Sequence, residues 1–345
     1  MKHKHFVILY VNLLIVLMLI FQGCYAPRET TAEILYPAEK ENLVANMDSV
    51  AMINRSYLPD SERKKSGIRY KGSYYEKSEQ YIDSIVSDNA LYTFSYLLNI
   101  APKGNTVKND TIVKIPPADN EFLQPLPRQQ VNRLCQTLEA NSLVSLETFH
   151  SFDSLYFNTS EGYYLAERKT TLMTVWRVYG ENKNRPLYQT YLGDTLYFSS
   201  YGYSRNSAYE DLISYKDALY EISYSSGMKF LQQIAPHWKE VDRIYFDYYT
   251  NDMTKANRYA SKGLWLKAAQ IWKPEAEKER GAKSAYAAYN MALAAEMRGN
   301  LEMAVFWIDK ALNMKPDNYY FLGYHQVLKS RVERQKLVEQ QLEAF

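Results

Sequence analysis

Small residues at helical spacing near the carboxyl end constrain the fold of this 345-residue chain more than any other feature. The stretch from Ala288 to Asn318 reads AYNMALAAEMRGNLEMAVFWIDKALNMKPDN, and its alanines recur three, four or seven residues apart. Residues at those spacings share one face of a helix, and alanine there lets two helices approach closely. Pro316 ends the second helix, because proline cannot continue the hydrogen-bond ladder. The stretch therefore predicts a pair of tightly packed helices.

The same stretch resembles the tetratricopeptide repeat, a helix–turn–helix unit of roughly 34 residues. With the first repeat position at Ala285, the later small positions fall on Ala292, Ala304 and Ala311. A weaker copy lies upstream, and its matching residues are Ala256, Tyr259, Gly263, Ala268 and Trp272. A final helix from about Asn318 would cap the stack. Because roughly three repeats are usually needed for independent stability, we expect this unit to pack against the rest of the chain.

The repeat resemblance also predicts a binding groove. In tetratricopeptide arrays the first helix of each repeat lines the concave surface, and here the positions facing a ligand are Tyr286, Tyr289, Asn290, Leu293, Glu296 and Met297. Tyrosine is a rigid anchor with a low entropy cost, and Asn290 lies where some arrays use asparagine to hold a bound segment. The alternative is that two repeats form too small a groove, so that these residues pack on the sheet domain instead.

The amino terminus predicts export. The residues MKHKH are basic, and the run from Phe6 to Phe21 is apolar except for Asn12. This run is shorter than the membrane-spanning length of about 20 residues and fits the core of a signal peptide. It ends at Gly23–Cys24, which resembles the cleavage point of a bacterial lipoprotein.

The lipoprotein resemblance implies that residues 1–23 are removed and that Cys24 is lipidated. Two or three acyl chains would hold the protein firmly on a membrane. Tyr25 replaces the Asp that commonly retains lipoproteins at the inner membrane, so the outer membrane is favoured, with the protein on its periplasmic face. An uncleaved anchor and ordinary secretion are the alternatives.

Composition excludes several classes of function. Net charge is +2 and the chain has no basic block interleaved with aromatics, which argues against nucleic acid as a partner. After Cys24 the sole cysteine is Cys135, so no intramolecular disulfide is expected once Cys24 is lipidated. His150, His237 and His325 are far apart and lack ligand-spaced partners, so we expect no metal site and no cofactor. The 32 tyrosines suit either a sugar- or peptide-stacking surface or ordinary half-buried sheet faces.

The region before the helical stretch alternates apolar runs with amphipathic segments. SVAMIN (Ser49–Asn54) predicts a buried central strand, SLVSLETF predicts a second strand, and two alternating runs around GENKNR predict a long hairpin. Asn206–Ile234 predicts one helix. A last strand, VDRIYFDYY, places Ile244, Phe246 and Tyr248 on one face.

This order predicts an α+β chain with two domains after a tether at residues 24–46. Residues 47–250 form an α/β sandwich on a mostly antiparallel sheet, and residues 251–345 form an all-α, tetratricopeptide-like domain with a carboxyl-terminal capping helix. The order of elements in the first domain resembles the amino-terminal domain of TolB and the curli-secretion lipoprotein. Topology of this kind does not carry function.

Motifs across nearly the whole mature chain resemble an uncharacterised family of Gram-negative envelope lipoproteins. The matching pieces are SVAMINRS, VNRLCQTLEANSLVSLETFHS, TTLMTVWRVY and GLWLKAAQIW…AYNMALAAEMRGNLEMAVFWIDKAL. The resemblance implies a domain of unknown function that ends in tetratricopeptide-like helices. It implies a location and an architecture, and no established activity.

Three functions are compatible with these features. The sequence favours a non-catalytic accessory or assembly subunit that binds another envelope protein. The alternative is a periplasmic module that binds a small ligand or a glycan on its tyrosine-rich surface. The third is a hydrolase built on Glu147, His150 and Asp153, although no GxSxG or HExxH element supports catalysis. Arg55 and Ser56, directly after the first strand, are either an anion site or simply the end of a strand.

Overall fold

The computed structural model describes residues 26–40, 43–56, 67–70, 73–76, 82–102, 106–115, 124–160, 162–248 and 250–343. Residues 1–23, predicted as a signal peptide, and the predicted lipidation site Cys24 lie outside these residues. The chain divides into two compact units, which are described separately. Of the described residues, the sheet unit comprises those within Tyr36–His237 and Val338–Phe345, and the helical unit comprises those within Met1–Leu35 and Trp238–Leu337.

Strands and helices alternate before residue 248, and helices follow it. In the described residues the strands are β1 (Ala26–Tyr36), β2 (Ser49–Asn54), β3 (Gly67–Tyr70), β4 (Ser73–Glu76), β5 (Thr106–Lys114), β6 (Ser142–Ser160), β7 (Tyr163–Gly180), β8 (Tyr188–Gly202) and β9 (His237–Asp247). The helices are α1 (Ile82–Ile100), α2 (Arg128–Thr137), α3 (Arg205–Glu210), α4 (Tyr215–Ile234), α5 (Asn251–Ala260), α6 (Trp265–Ala276), α7 (Ala282–Glu296), α8 (Leu301–Met314) and α9 (Tyr319–Glu343). No helix in this described set is long and apolar enough to cross a membrane.

The sheet unit is built on one mixed sheet in which β2 pairs in parallel with both β5 and β6. The rest of the sheet is mostly antiparallel, because β6, β7 and β8 form two long antiparallel ladders. The β6–β7 ladder extends from Ser142 opposite Gly180 to Ser160 opposite Tyr163. The predicted α+β class and the mostly antiparallel sheet are confirmed.

The central strand β2 is buried on both faces, as its continuous apolar run predicts. All six of its residues are buried. Val50 and Met52 contribute to the core that contains residues of α1 and α4, whereas Ala51 and Ile53 contribute to the core that contains residues of α2. Successive strand residues point to opposite faces, so burying both faces requires an apolar residue at every interior position.

Aromatic residues fill the larger core of the sheet unit. The ring of Trp176 on β7 stacks on Phe230 of α4, with centroids 4.5 Å apart and planes 12° apart. Phe94 of α1 lies 5.3 Å from Phe230. Each such buried side chain stabilises the fold by about 1.5–3 kcal/mol relative to exposure.

The single helix predicted at Asn206–Ile234 is wrong, because the segment forms two helices. Each helix has its own serine N-cap: the Ser204 side chain accepts a hydrogen bond from the Ser207 backbone N–H, and the Ser214 side chain accepts one from the Asp217 backbone N–H. Serine side chains compete for backbone donors and so favour a new helix start over a helix interior.

The helical unit contains two helical hairpins, α5–α6 and α7–α8, with matching turns. Gly263 and Gly299 have φ of 71° and 75°, in the left-handed region that glycine adopts without steric cost. After each, the next backbone N–H reaches back five residues, from Leu264 to Tyr259 and from Asn300 to Ala295. These are the hydrogen bonds of a glycine-terminated helix. The predicted alanine positions, Ala256, Ala268, Ala292, Ala304 and Ala311, are fully buried.

The structure places the last strand differently from the sequence prediction. In the described residues β9 pairs with β1 in a separate two-stranded sheet, and both strands fall largely in the helical unit. Residues 26–36, predicted as part of a tether, therefore form a paired strand. The boundary between compact units lies at His237/Trp238, rather than at residue 250. The strand β9 belongs largely to the helical unit because its residue Phe246 packs on aromatic side chains of α7 and α9.

Gly227 of α4 provides a test of helix packing in the sheet unit. A Cβ atom there would lie 2.3 Å from the backbone carbonyl oxygen of Ala90 and 3.1 Å from Thr93 Cβ. We expect Gly227→Ala to lower the free energy of unfolding by about 1–3 kcal/mol through overpacking, despite a helix-propensity gain of about 1 kcal/mol. Urea unfolding followed by far-UV circular dichroism measures this change.

Gly193→Ala is the matched control, because a Cβ at Gly193 meets no atom within 4 Å. Its free energy of unfolding should change by less than about 0.5 kcal/mol. Equal effects at the two positions would contradict the packing explanation.

Candidate functional site

The residues predicted to line the groove lie on α7 or directly after it, and most are buried. Tyr286, Tyr289, Asn290, Leu293 and Glu296 are each at most 9% exposed. Met297 is half-buried. A groove open to a partner at these positions is therefore not present in this conformation.

A segment of the chain itself covers these residues. The ring of Phe246 on β9 lies 4.7 Å from that of Tyr286 and 5.0 Å from that of Tyr289. The side-chain amide of Asn290 donates to the carbonyl oxygen of Phe246 at 2.8 Å, and its oxygen accepts from the Phe246 backbone N–H at 2.8 Å. Asn290 thus holds a bound backbone, as asparagine does in some repeat arrays, but the bound backbone is that of β9.

Glu296 is the centre of a buried cluster of charges. Arg243 donates to both of its carboxylate oxygens, each at 2.9 Å. The hydroxyl of Tyr324 donates to Oε2 at 2.6 Å, and Arg331 Nη1 lies 2.6 Å from Oε1. Burial would raise the pKa of this carboxyl, but hydrogen bonding and charge from Arg243, aided by Tyr324 and Arg331, outweigh it and lower the pKa.

The tyrosines beside Glu296 keep their protons. Burial is the main cause that raises the pKa of Tyr289, and the charge of Glu296 adds to it. The pKa of Tyr324 is raised well above its usual range by burial and then by Glu296. Both rings therefore remain neutral phenols, and their centroids lie 4.9 Å apart.

A cavity of about 430 Å³ opens beside this cluster. We call it the aromatic cleft. Its lining residues come from β1, β9, α7 and α9, and they are Glu29, Asp242, Arg243, Ile244, Tyr289, Tyr319, Tyr320, Gly323, Tyr324 and Val327. Tyr289 is the one predicted groove residue among them. Glu296 contributes indirectly, because it holds Arg243 and Tyr324 in place.

Tyrosine rings and carboxylates distinguish the cleft. The rings of Tyr319 and Tyr320 have centroids 3.9 Å apart, and Tyr319 is 70% exposed. Glu29 and Asp242 are exposed. Within the described part of the chain, neither carboxylate takes part in an ion pair. The cleft therefore combines aromatic walls with unpaired negative charge.

A second cavity, of about 270 Å³, is less suited to specific recognition. Its lining residues are Ala269, Met291, Ala294, Ala295, Arg298, Asn300, Met303 and Trp307. Most are apolar side chains from α6, α7 and α8, and Arg298 is the charged group among them.

The candidate catalytic carboxylates are held in separate ion-pair clusters. Glu147 is 1% exposed and contacts Arg55 Nη1 at 2.5 Å, Arg177 Nη1 at 3.1 Å and the Tyr179 hydroxyl at 2.9 Å. Arg55, the candidate anion ligand, is thus paired with a carboxylate of the same unit. These contacts leave Glu147 without the free oxygen that a general acid or base needs.

Asp153 and Cys135 are also engaged or buried. Asp153 pairs with Arg168 and accepts a hydrogen bond from Thr170, whereas His150 is exposed. Burial, with a smaller effect of Glu181, raises the pKa of the Cys135 thiol to about 11, so it is a poor nucleophile near neutral pH. Among the described residues, no group of three or more His, Cys, Asp or Glu could hold a metal ion.

Most residues of the cleft carry no signal in the sequence. Glu29, Arg243 and Tyr324 come from segments far apart in the chain and share no motif. The adjacent pair Tyr319–Tyr320 was the one local signal, and it could not be told from the other tyrosines by sequence.

Two family models match the chain. Residues 47–246 match a family described as Domain of unknown function (DUF8603), and residues 254–336 match one described as Domain of unknown function (DUF6340). Among proteins of curated function, none matches the sequence.

Solved structures similar to the chain include the PelC dodecamer from Paraburkholderia phytofirmans. The likeness covers 60% of this chain and 99% of that chain, at 9% identity and a TM-score of 0.23. A single-residue variant of that dodecamer is similar over 61% of this chain and 98% of its own, at 9% identity and a TM-score of 0.21. A likeness this remote supports no conclusion about function.

Glu296 makes the stability of the helical unit depend on pH. Its pKa is lowered in the fold from the ordinary value of 4.5, so its contribution to stability is present above pH 4.5 and is lost as the pH falls through the folded-state value. We expect Glu296→Gln to cost about 3–5 kcal/mol at pH 7, because Arg243 and Arg331 would lose their counter-charge. The variant should also lose this part of the acid sensitivity.

Denaturant titrations from pH 3 to pH 7 (about the range set by the carboxyl pKa), followed by tryptophan fluorescence, measure both effects. Trp238, Trp265, Trp272 and Trp307 all belong to the helical unit. Glu279→Gln is the control, because Glu279 is exposed. A Glu296→Gln variant with the wild-type pH profile would contradict the assignment.

Substitution of Glu147 tests whether its carboxylate has a structural role. We expect Glu147→Gln to destabilise the sheet unit by about 3–5 kcal/mol, since two buried arginines lose their partner. The exposed Glu210→Gln should change the free energy of unfolding by less than about 0.5 kcal/mol. Far-UV circular dichroism during urea unfolding measures both. An unchanged midpoint for Glu147→Gln would show that the ion-pair cluster is not structural.

Proposed function

The chain belongs to the DUF8603 family, which is defined by a domain of unknown function, and we propose that it is a non-catalytic accessory subunit that binds another envelope protein through the aromatic cleft. The observation that carries the proposal is the cleft itself: four tyrosines around a cavity of about 430 Å³, with unpaired carboxylates at its edge. Aromatic side chains around a concave site are the usual anchors of protein recognition.

The proposal keeps the location that the sequence predicts. Residues 1–23 act as a lipoprotein signal, Cys24 is lipidated, and the mature protein lies on the periplasmic face of the outer membrane. The basic start, the apolar run and the Gly23–Cys24 step support this location. Binding rather than hydrolysis is supported by Glu147 and Asp153, whose oxygens are used in two separate ion-pair clusters.

The proposal also treats the helical unit as tetratricopeptide-like. In its favour, the turns of the two helical hairpins contain Gly263 and Gly299, which have positive φ and are 299 − 263 = 36 residues apart. Ala268 and Ala304 are separated by the same interval and both are fully buried. In this interpretation β9 takes the place of a bound peptide, and the partner binds in the cleft beside it.

A second candidate, a glycan-binding module, is favoured by one face of the β6–β7–β8 sheet. Thr171 lies opposite Phe152 on one side and Thr195 on the other, so alternate residues of the three strands share a face. The exposed aromatic residues on that face are Phe152, Tyr156, Tyr163, Tyr191, Tyr197 and Tyr201. Flat aromatic surfaces offer ring faces on which sugar rings can stack.

A crosslinked pull-down from detergent-solubilised envelopes tests the proposal with the full-length chain. We expect one stoichiometric partner with the wild type, and less than about a tenth of it with Tyr319→Ala, since loss of an anchor residue typically costs about 2 kcal/mol or more. Tyr197→Ala is the matched control, because Tyr197 is 73% exposed and Tyr319 is 70% exposed. The control should recover the partner fully.

Two outcomes contradict the proposal. Loss of the partner with Tyr197→Ala but not with Tyr319→Ala would move binding to the sheet face. Absence of a partner in all three samples, with glycan binding by the sheet unit, would favour the second candidate.

A further inference from the structure

Resting on the proposed function, the geometry points to a cationic group as what the aromatic cleft recognises: the ammonium of a lysine or the guanidinium of an arginine on the partner protein. Three observations in the helical unit lead to this inference. They are the arrangement of tyrosine rings, the sign of the charge that remains unpaired, and the size of the cavity.

The tyrosine rings suit a cation. Tyr289 and Tyr324 form one pair of neighbouring rings, and Tyr319 and Tyr320 form another, and all four line the cavity. The face of an aromatic ring is electronegative, so a cation within about 6 Å of several rings is attracted without forming a hydrogen bond. The lining tyrosines are neutral where buried, because burial raises the pKa of Tyr289 and Tyr324.

Two arginines near the cleft, Arg243 and Arg331, are already bound to Glu296. Arg243 directs Nε and Nη2 at Glu296, and its Nη1 donates to the backbone carbonyl of Asp242 at 2.9 Å. Arg331 also faces Glu296. An anion entering the cleft would therefore find no available guanidinium among these groups.

Among the residues that line the cavity and those that bind Glu296, negative charge exceeds positive charge. Glu29, Asp242 and Glu296 carry three negative charges, and Arg243 and Arg331 carry two positive ones, so 2 − 3 leaves one net negative charge. Glu29 and Asp242 line the cavity and are exposed. They provide the long-range attraction for a cation, whereas the rings provide short-range contact.

The volume fits one side chain. At about 430 Å³, the cavity lies near the lower end of the range for small-ligand sites, about 300–1,000 Å³. It can accept the end of an extended lysine or arginine with bound water. Tyr319 and Glu29, which line the cavity and are exposed, would contact the backbone that carries this side chain.

Titration calorimetry with capped amino acids tests the chemistry directly. The probes are Nα-acetyl-lysine amide and Nα-acetyl-arginine amide, and the neutral control is Nα,Nε-diacetyl-lysine amide. Choline and its uncharged isostere 3,3-dimethylbutan-1-ol form a second pair, which asks whether a cation without N–H donors suffices. We expect the charged probes of the first pair to bind at least about tenfold more tightly than their neutral control, because loss of the charge removes both ring and carboxylate attraction.

Variants separate the two kinds of attraction. We expect Glu29→Gln with Asp242→Asn to weaken the lysine probe about tenfold and to make its binding less dependent on salt. Tyr319→Ala should weaken it by a similar factor with the salt dependence retained. Glu279→Gln, an exposed carboxylate away from the lining residues, should change nothing. Circular dichroism confirms that each variant is folded.

The same variants, used in the pull-down, keep this inference distinct from the proposed function. Loss of the partner with both Tyr319→Ala and Glu29→Gln/Asp242→Asn is the expected result. Loss with Tyr319→Ala alone, with equal binding of lysine and diacetyl-lysine probes, would overturn the cationic inference and leave the accessory role standing. Tight binding of choline without binding of the lysine probe would overturn the assignment to a protein side chain.

Discussion

The buried carboxylate of Glu296 is the interaction on which the rest of the helical unit depends. It joins β9 through Arg243, α7 through its own backbone, and α9 through Tyr324 and Arg331. A charge this deeply buried is tolerated only when donors replace most of its lost hydration. The three segments must therefore assemble together, and the cleft exists because they do. A change at this carboxylate would affect the shape of the cleft without any contact to a ligand.

The sheet unit uses the same arrangement at a different place. Glu147 contacts two arginines, Arg55 and Arg177, and one tyrosine hydroxyl, that of Tyr179. Arg55 directly follows β2, and Arg177 and Tyr179 lie on β7, so the ion cluster fixes the register of β6 between its neighbours. In each unit one glutamate with two arginines and a tyrosine specifies which segments meet. The energetic gain over an apolar core of the same volume is small, so the cluster contributes chiefly to a single, defined arrangement.

Local sequence patterns predict the elements whose formation depends on neighbouring residues. They do not predict the cleft, because its lining residues come from distant segments of the chain. The apolar run of β2 and the buried alanines Ala268 and Ala304 can be predicted from the sequence, because each belongs to a local pattern of neighbouring residues. The pairing of β1 with β9 cannot be predicted from the sequence, because neither segment carries a pattern that identifies its partner. The packing of β9 on α7 is a contact between distant segments. Arg243 and Glu296 are 53 residues apart, and no spacing rule predicts that one cancels the charge of the other. The carboxylates that remain unpaired therefore become visible only in three dimensions.

The short chain between Cys24 and β1 has a geometric consequence. Five residue steps separate Cys24 from Glu29, and a fully extended chain spans at most about 3.6 Å per step, or about 18 Å in total. If Cys24 is lipidated, the backbone of Glu29, which lines the cleft, cannot be farther than about 18 Å from the bilayer surface. Ligands would then be sampled from a thin layer next to the membrane, where their local concentration, rather than their concentration in the whole compartment, sets occupancy.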